Sequence, residues 1–160
     1  MEELAQLSAA VTVLANQTSF RDSIDRLKRE VVSSSEPFVW ATLDLAPIAQ
    51  RVPARIKSAW IFVLKKETWS GAHAHPNSIQ HMVVLEGRGR SRIAGIAGEL
   101  HPVGSAKPPD SDWVVIDAGI EHEFYPIDDD MVVVSFHTCE AGELIEVSAH
   151  GGVRRYEALG

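Results

Sequence analysis

His73 and His75, two positions apart within the stretch WSGAHAHPNSIQHMVVLEGRG (69–89), are the residues of this sequence best suited to chemistry rather than packing. In an extended strand, side chains two apart share a face, so the two imidazoles can grip one ion from one side. Neutral imidazole suits zinc, copper, iron or nickel. A third ligand then has to come from a neighbouring strand. The segment IDAGIEH (116–122) offers one, His122, just past a glycine-containing turn at the head of another strand-like run. Alternation places Gln80 on the face of His73 and His75, and His81 on the other. Gln80 is a weak, neutral ligand through its amide oxygen, or a donor that orients a bound water or substrate oxygen. His137, at the end of a strand-like segment, is a candidate proton-transfer group at the mouth of the site. His101 and His150 lie in loop-like contexts and receive no role, and Cys139 is read as a buried or incidental thiol.

These residues resemble the two motifs of the cupin family. The first motif is His-x-His, three or four residues, Glu, six residues, Gly; the chain has His73, His75, four residues, Gln80, six residues and Gly87. The second motif, Pro-x-Gly-x-x-His, is met by Asp117, Gly119 and His122. The chain departs from the family at Gln80 in place of Glu, Glu67 at the leading Gly, Asp117 in place of Pro, and Pro126 at the trailing Asn. The resemblance covers roughly residues 36 to 148. It implies an all-β double-stranded β-helix, a jelly-roll barrel carrying its metal inside, with His73, His75, Gln80 and His122 as the metal ligands. Gln80 and, from its place at a strand end, His137 are the candidate catalytic groups. With Gln80 in place of Glu, a divalent ion is expected to find no protein carboxylate and to keep its double charge until an anion arrives. Three-histidine cupins include iron-dependent dioxygenases. The resemblance therefore implies a mononuclear non-haem Fe(II) dioxygenase acting on a small anionic or chelating organic molecule, with Mn, Ni, Cu and Zn open to the same ligands. The alternatives are a pocket that binds a small molecule or metal without turnover, and a metal-assisted isomerase or lyase.

The elements that position these residues follow from periodicity. Leu4, Leu7, Val11 and Leu14, and then Phe20, Ile24, Leu27 and Val31, recur at helical spacing, which predicts two amphipathic helices in an N-terminal arm over 1–34, with Thr18 or Ser19 capping the second. The barrel follows over 35–160. Strands are expected at 38–45, 56–64, 80–86, 88–93, 113–116, 121–126, 131–137 and 144–147. The apolar run 56–64 reads as covered on both faces, by a helix or a subunit. Arg88, Arg90 and Arg92 are placed outside, opposite acidic partners. Asp128, Asp129 and Asp130 are expected to make a hairpin turn, residues 101–112 the longest loop, and Gly151 and Gly152 to begin a tail.

A chain of 160 residues with 45% hydrophobic content can fill one core and is short for two domains. Twenty-two acidic against fifteen basic residues give a formal charge of -7, which argues against nucleic acid or an anionic membrane as partners. The single Cys139 asks for no oxidising compartment, and no run has the length needed to span a bilayer. The expectation is a cytoplasmic homodimer with a small-molecule substrate.

Overall fold

The computed structural model describes residues 2–105 and 109–156. Helix α1 (Glu2–Ala15) buries Leu7, Ala10, Val11 and Leu14, and α2 (Thr18–Ser33) buries Phe20, Ile24, Leu27 and Val31, the two stripes that 3.6-residue periodicity predicts. The cap of α2 differs from expectation: Gln17 precedes the helix without a side-chain cap bond, and Thr18 and Ser19 lie inside the first turn. Among the described residues, no helix is long and apolar enough to cross a membrane.

The strands are β1 (Phe38–Leu43), β2 (Ser58–Leu64), β3 (His73–Ala74), β4 (Gln80–Ile93), β5 (Ile96–Leu100), β6 (Trp113–Ile116), β7 (His122–His137), β8 (Ile145–Ser148) and β9 (Val153–Arg155). They join into one curled antiparallel sheet organised around β7. The C-terminal half of β7 lies between β2 and β4, and its first residue, His122, pairs with His73 of β3. Two helices packed on a jelly-roll sheet is the expected fold class.

The hairpin turn expected at the Asp128 to Asp130 triplet is a bend instead. Segments 80–86 and 88–93 form the single strand β4, and 121–126 and 131–137 the single strand β7. They run unbroken and pair with each other at both ends, from Gln80 opposite His137 to Ile93 opposite His122, with register shifts between Val84 and Arg88. The triplet is thus part of a bulged ribbon and not a hairpin turn. Gly87 (φ 78°) and Asp128 (φ 65°) take the left-handed conformation there, and a β-carbon on Gly87 would stand 2.7 Å from the Asp130 carbonyl oxygen. Only glycine permits that approach. Asp128 binds Arg88 at 2.5 Å and Asp130 accepts the Lys66 N–H at 2.8 Å, so these carboxylates hold the bend. Arg88, Arg90 and Arg92 face outward as expected, Arg92 pairing with Glu123 of β7 at 3.0 Å. Glu67, at the position of the motif's leading Gly, adopts φ 57° and donates its N–H to Pro126. The left-handed turn survives without glycine, at a cost of roughly 1–2 kcal/mol.

Alternation divides the sheet into two apolar faces. Ala59, Ile61 and Val63 of β2 and Val132, Val134 and Phe136 of β7 pack with α1 and α2. Trp60, Leu64, Met82, Phe124 and Val133 point into the barrel. β2 is therefore covered on both faces, and the outer cover is the chain's own helices. Trp113 Nε1 donates to Ser8 at 2.9 Å and Arg55 pairs with Glu3 at 2.6 Å, pinning α1 to the barrel. The segment after Gly151 is no tail, since β9 pairs with β8 through a turn in which Gly151 has φ 84°. Residues 106–108 of the expected loop lie outside the described residues.

Candidate metal centre

His73 and His122 face each other across the β3–β7 ladder, and His75 follows directly after β3. The second motif is tied to the first by its glycine: Gly119, at φ 77°, donates its N–H to the His75 carbonyl at 2.9 Å. The result brings one ligand nitrogen from each of His73, His75 and His122 to within 4.8 Å of one another, all three residues being buried. The ring centroids lie 4.4 to 5.3 Å apart.

The backbone sets which nitrogen each ring presents. Nδ1 of His73 meets the Gly71 carbonyl at 2.7 Å, that of His75 the Ile145 carbonyl at 2.8 Å, and that of His122 the Ile120 carbonyl at 2.9 Å. A carbonyl oxygen only accepts, so the proton sits on Nδ1 and the Nε2 lone pair is left to bind. Carbonyls that fix the tautomer of metal-binding histidines are a recurrent second layer of such sites. The Nε2 of His122 is buried with no hydrogen-bond partner. Leaving a buried polar atom unmet costs about 1–3 kcal/mol, and an ion at this point would satisfy it. Burial pushes the pKa of His75 down to about 4 and, aided by His73, that of His122 to about 3. Both are neutral at pH 7, as ligation requires. The residues fit a divalent transition metal.

No family model matches this chain, and no curated protein matches it in sequence. Solved structures do match. Coconut allergen cocosin superposes with a TM-score of 0.54 at 17% identity over 72% of this chain and 29% of its own. An oxalate decarboxylase–formate complex from Lactobacillus farciminis gives 0.53 at 16% identity over 72% and 32%, and the 11S globulin of Wrightia tinctoria 0.54 at 13% over 72% and 28%. The fold is that of the cupins. The chain spans about a third of the length of these structures.

Within the cupin barrel, His73 and His75 open on a pocket of about 40 Å³ whose wall is mostly Phe38, Phe62, Leu64, Met82, Phe124 and Val133. Its polar edge is His73, His75, Gln80, Ser70 and Tyr156. Gln80 is thus brought to the site: its Oε1 is buried without a partner, while Nε2 reaches only Met82 Sδ at 3.7 Å. Phe124 lines the interior as alternation predicts, and Tyr125 turns away to pack on Trp69. His81 lies on the opposite face, with Arg55 at 3.1 Å and Glu3 at 3.7 Å. His137 does not reach the mouth. It is fully buried, with Ser78 Oγ at 2.9 Å from Nδ1 and Ser135 Oγ at 3.1 Å from Nε2, and its ring stands 5.3 Å from that of His75. Burial holds it neutral, with its pKa well below the usual range, and it supports the cluster from behind. His101 pairs with Glu99 at 3.3 Å and His150 is exposed, both away from the site.

Two residues that motif spacing does not reveal stand beside the cluster. Glu146, buried on β8, places Oε2 3.8 Å from Nε2 of His73 and accepts the hydroxyl of Tyr156. A protein carboxylate thus stands beside His73, outside the group formed by the three histidine nitrogens. Tyr156 is 2% exposed and is wedged among Trp40, Trp60 and Phe62. Burial first, and Glu146 second, raise its pKa well above the usual range, so it remains a donor. A signal for both was present in the sequence. Gly151 and Gly152 between two short strand-like runs mark a hairpin, and alternation in Ile145–Val147 sets Glu146 opposite its apolar neighbours.

Proposed function

We propose that this cupin is a mononuclear non-haem iron dioxygenase in which His73, His75 and His122 hold Fe(II) and a small anionic or chelating organic molecule enters the pocket beside it. The observation that carries the reading is the convergence of three imidazoles whose Nδ1 atoms are each tied to a carbonyl, with His122 Nε2 left buried and unmet. A divalent ion held there supplies Lewis acidity and, as iron, one-electron chemistry with O₂. The chain's own residues do the rest. Neutral His75 and His122 leave the ion's charge available to an anion. Gln80 Oε1, lacking any partner, accepts a hydrogen bond from a ligand or bound water. Phe38, Phe62, Leu64 and Phe124 exclude bulk water and accommodate an apolar body of small size.

The same fold serves an oxalate decarboxylase and, in the Wrightia globulin, an auxin binding site, so turnover and plain binding are both compatible with the architecture. Metal analysis of protein from unsupplemented cells, coupled to O₂ uptake with a panel of diketones, carboxylates and thiols, separates them. Iron near one equivalent and uptake with one of these classes are expected. His73→Ala, His75→Ala and His122→Ala should each lose most metal and uptake, while His101→Ala and His150→Ala keep both. Equal metal across all five variants sinks the ligand assignment. Product formed without O₂ would move the reading to a metal-assisted isomerase or lyase, and ligand binding without product to a binding module.

A further inference from the structure

We propose that Gln80 sets the class of molecule this pocket takes: a small metal-binding molecule with an O–H or N–H beside its metal-binding atoms, which it donates to Gln80 Oε1. The inference rests on the metal reading above and narrows its ligand. Gln80 lies on β4 between β6 and β7, opposite Ile116 and His137, so its backbone is fixed from both sides. The residue is 6% exposed and lines the pocket with His73 and His75. Its amide has one contact, Nε2 standing 3.7 Å from Met82 Sδ, and Oε1 is buried with no partner. The thioether fixes which way round the amide sits. Sulfur there accepts weakly and cannot donate, so the NH₂ group faces it and the oxygen is the atom left over. A buried oxygen without a donor is costly. Because Gln80 lines a pocket and not a packed core, an occupant can supply the donor that the fold withholds.

The donors of the remaining polar edge each have an acceptor inside the protein. Tyr156 gives its hydroxyl proton to Glu146. Ser70 Oγ takes the Phe124 N–H at 2.9 Å and turns its own proton toward the Gly71 carbonyl at 3.5 Å. His73 and His75 meet the Gly71 and Ile145 carbonyls through Nδ1. The edge therefore offers an occupant an acceptor, Gln80 Oε1, and leaves the ion to receive its lone pairs. A simple carboxylate or a fully deprotonated diketone satisfies the ion and leaves Oε1 unmet. A 2-hydroxy acid or a hydroxamic acid satisfies both. The walls Phe38, Phe62, Leu64 and Phe124 keep the rest of the molecule apolar, and a pocket of about 40 Å³ keeps it small. Ligand type sets Gln80 apart from the ion, since iron, zinc, copper and nickel suit the imidazoles whereas carbonyl oxygen suits harder ions.

The full chain loaded with Co(II) and read by visible absorption tests this without reference to turnover. Two matched pairs serve as probes: glycolate against methoxyacetate, and acetohydroxamate against N-methylacetohydroxamate. The members of a pair offer a metal the same atoms and differ in whether an O–H or N–H remains. Wild type should take one equivalent of Co(II). It should bind the donor-bearing member of at least one pair about 10-fold or more tightly, since a site built around a hydrogen bond rejects the analogue that lacks it. Gln80→Leu, of similar volume, should still take one equivalent of Co(II) and lose that preference. A preference that persists in Gln80→Leu is steric exclusion of the methyl group and overturns the proposal. Pairs bound alike by wild type, or four probes that fail to bind at millimolar concentration, overturn it as well. Co(II) lost from Gln80→Leu as fully as from His122→Ala makes Gln80 a ligand to the ion, which also overturns it. Wild type that binds no Co(II), or no more than His122→Ala does, overturns the metal reading itself and this inference with it. Should Gln80→Leu fail to fold, Gln80→Ala takes its place with the same outcomes.

Discussion

A metal ligand has to be deprotonated before it binds, and a histidine in water takes up its proton near pH 6.5. Spacing alone therefore predicts metal loss in that range. Burial moves the window, because His75 and His122 take up protons only near about 4 and about 3 in the folded chain, so proton competition at these two ligands begins well below pH 6. The same shift governs stability. The unfolded chain binds protons at these positions near 6.5 and the folded chain does not, so the unfolded state holds more protons throughout the interval between. Stability is fully present above about pH 6.5 and falls as pH drops through that window, with a limiting slope of about 1.4 kcal/mol per pH unit for each such histidine. Thermal melts of metal-free protein from pH 7.5 to 4.5 should show this decline, and His122→Phe should flatten it. A level melting temperature across the series would contradict the buried, neutral state of these rings. At this scale His73, His75 and His122 were legible because the motifs are local in sequence. Glu146 was legible only as the polar face of a short strand, because its approach to His73 depends on the β3–β8 register, which no spacing rule encodes.

Helical stripes and the covered strand β2 were readable from period alone, yet the longest strands were misdivided. The Asp128 to Asp130 triplet has the chemistry of a reversal, short acids that bind nearby backbone. A bulge uses the same chemistry, and only the partner strand decides between them. β4 and β7 pair on both sides of the irregularity, so the ribbon bends and continues. Glycine is required there for two separable reasons. At Gly95, φ is 78° and the space for a β-carbon is open, whereas at Gly87 the same φ comes with backbone oxygen at 2.7 Å. Gly95→Ala should cost only conformational strain, about 1 kcal/mol, and Gly87→Ala on the order of 2–4 kcal/mol, since backbone must also move. Taking about 2–4 °C per kcal/mol for a chain of this size, Gly87→Ala should melt well below Gly95→Ala. Equal melting temperatures would mean that the ribbon relaxes around the added methyl.

The helices that the sequence presents as an arm are, in the whole molecule, one wall of the core. Leu7, Leu14, Phe20, Leu27 and Val31 are at most 3% exposed and share a cluster with Ala59, Ile61, Val63, Val134 and Phe136 of the sheet. At about 1.5–3 kcal/mol for each large side chain removed from water, these five contribute on the order of 10 kcal/mol. That is an upper estimate because the unfolded chain already hides some surface, yet it matches the entire stability of a typical domain, about 5–15 kcal/mol. The helices also occupy the outer face of β2, so that face is not open to a second copy of the chain. Deleting residues 1–33 would uncover a contiguous apolar sheet face with no partner. The truncated chain should lose its cooperative melt or associate into large species by light scattering, and should lose metal with it, because β7 carries His122 at one end and Val132, Val134 and Phe136 on the face left bare. A monomeric, cooperatively melting, metal-binding truncation would show instead that the barrel stands alone and that the helices serve some purpose other than its stability.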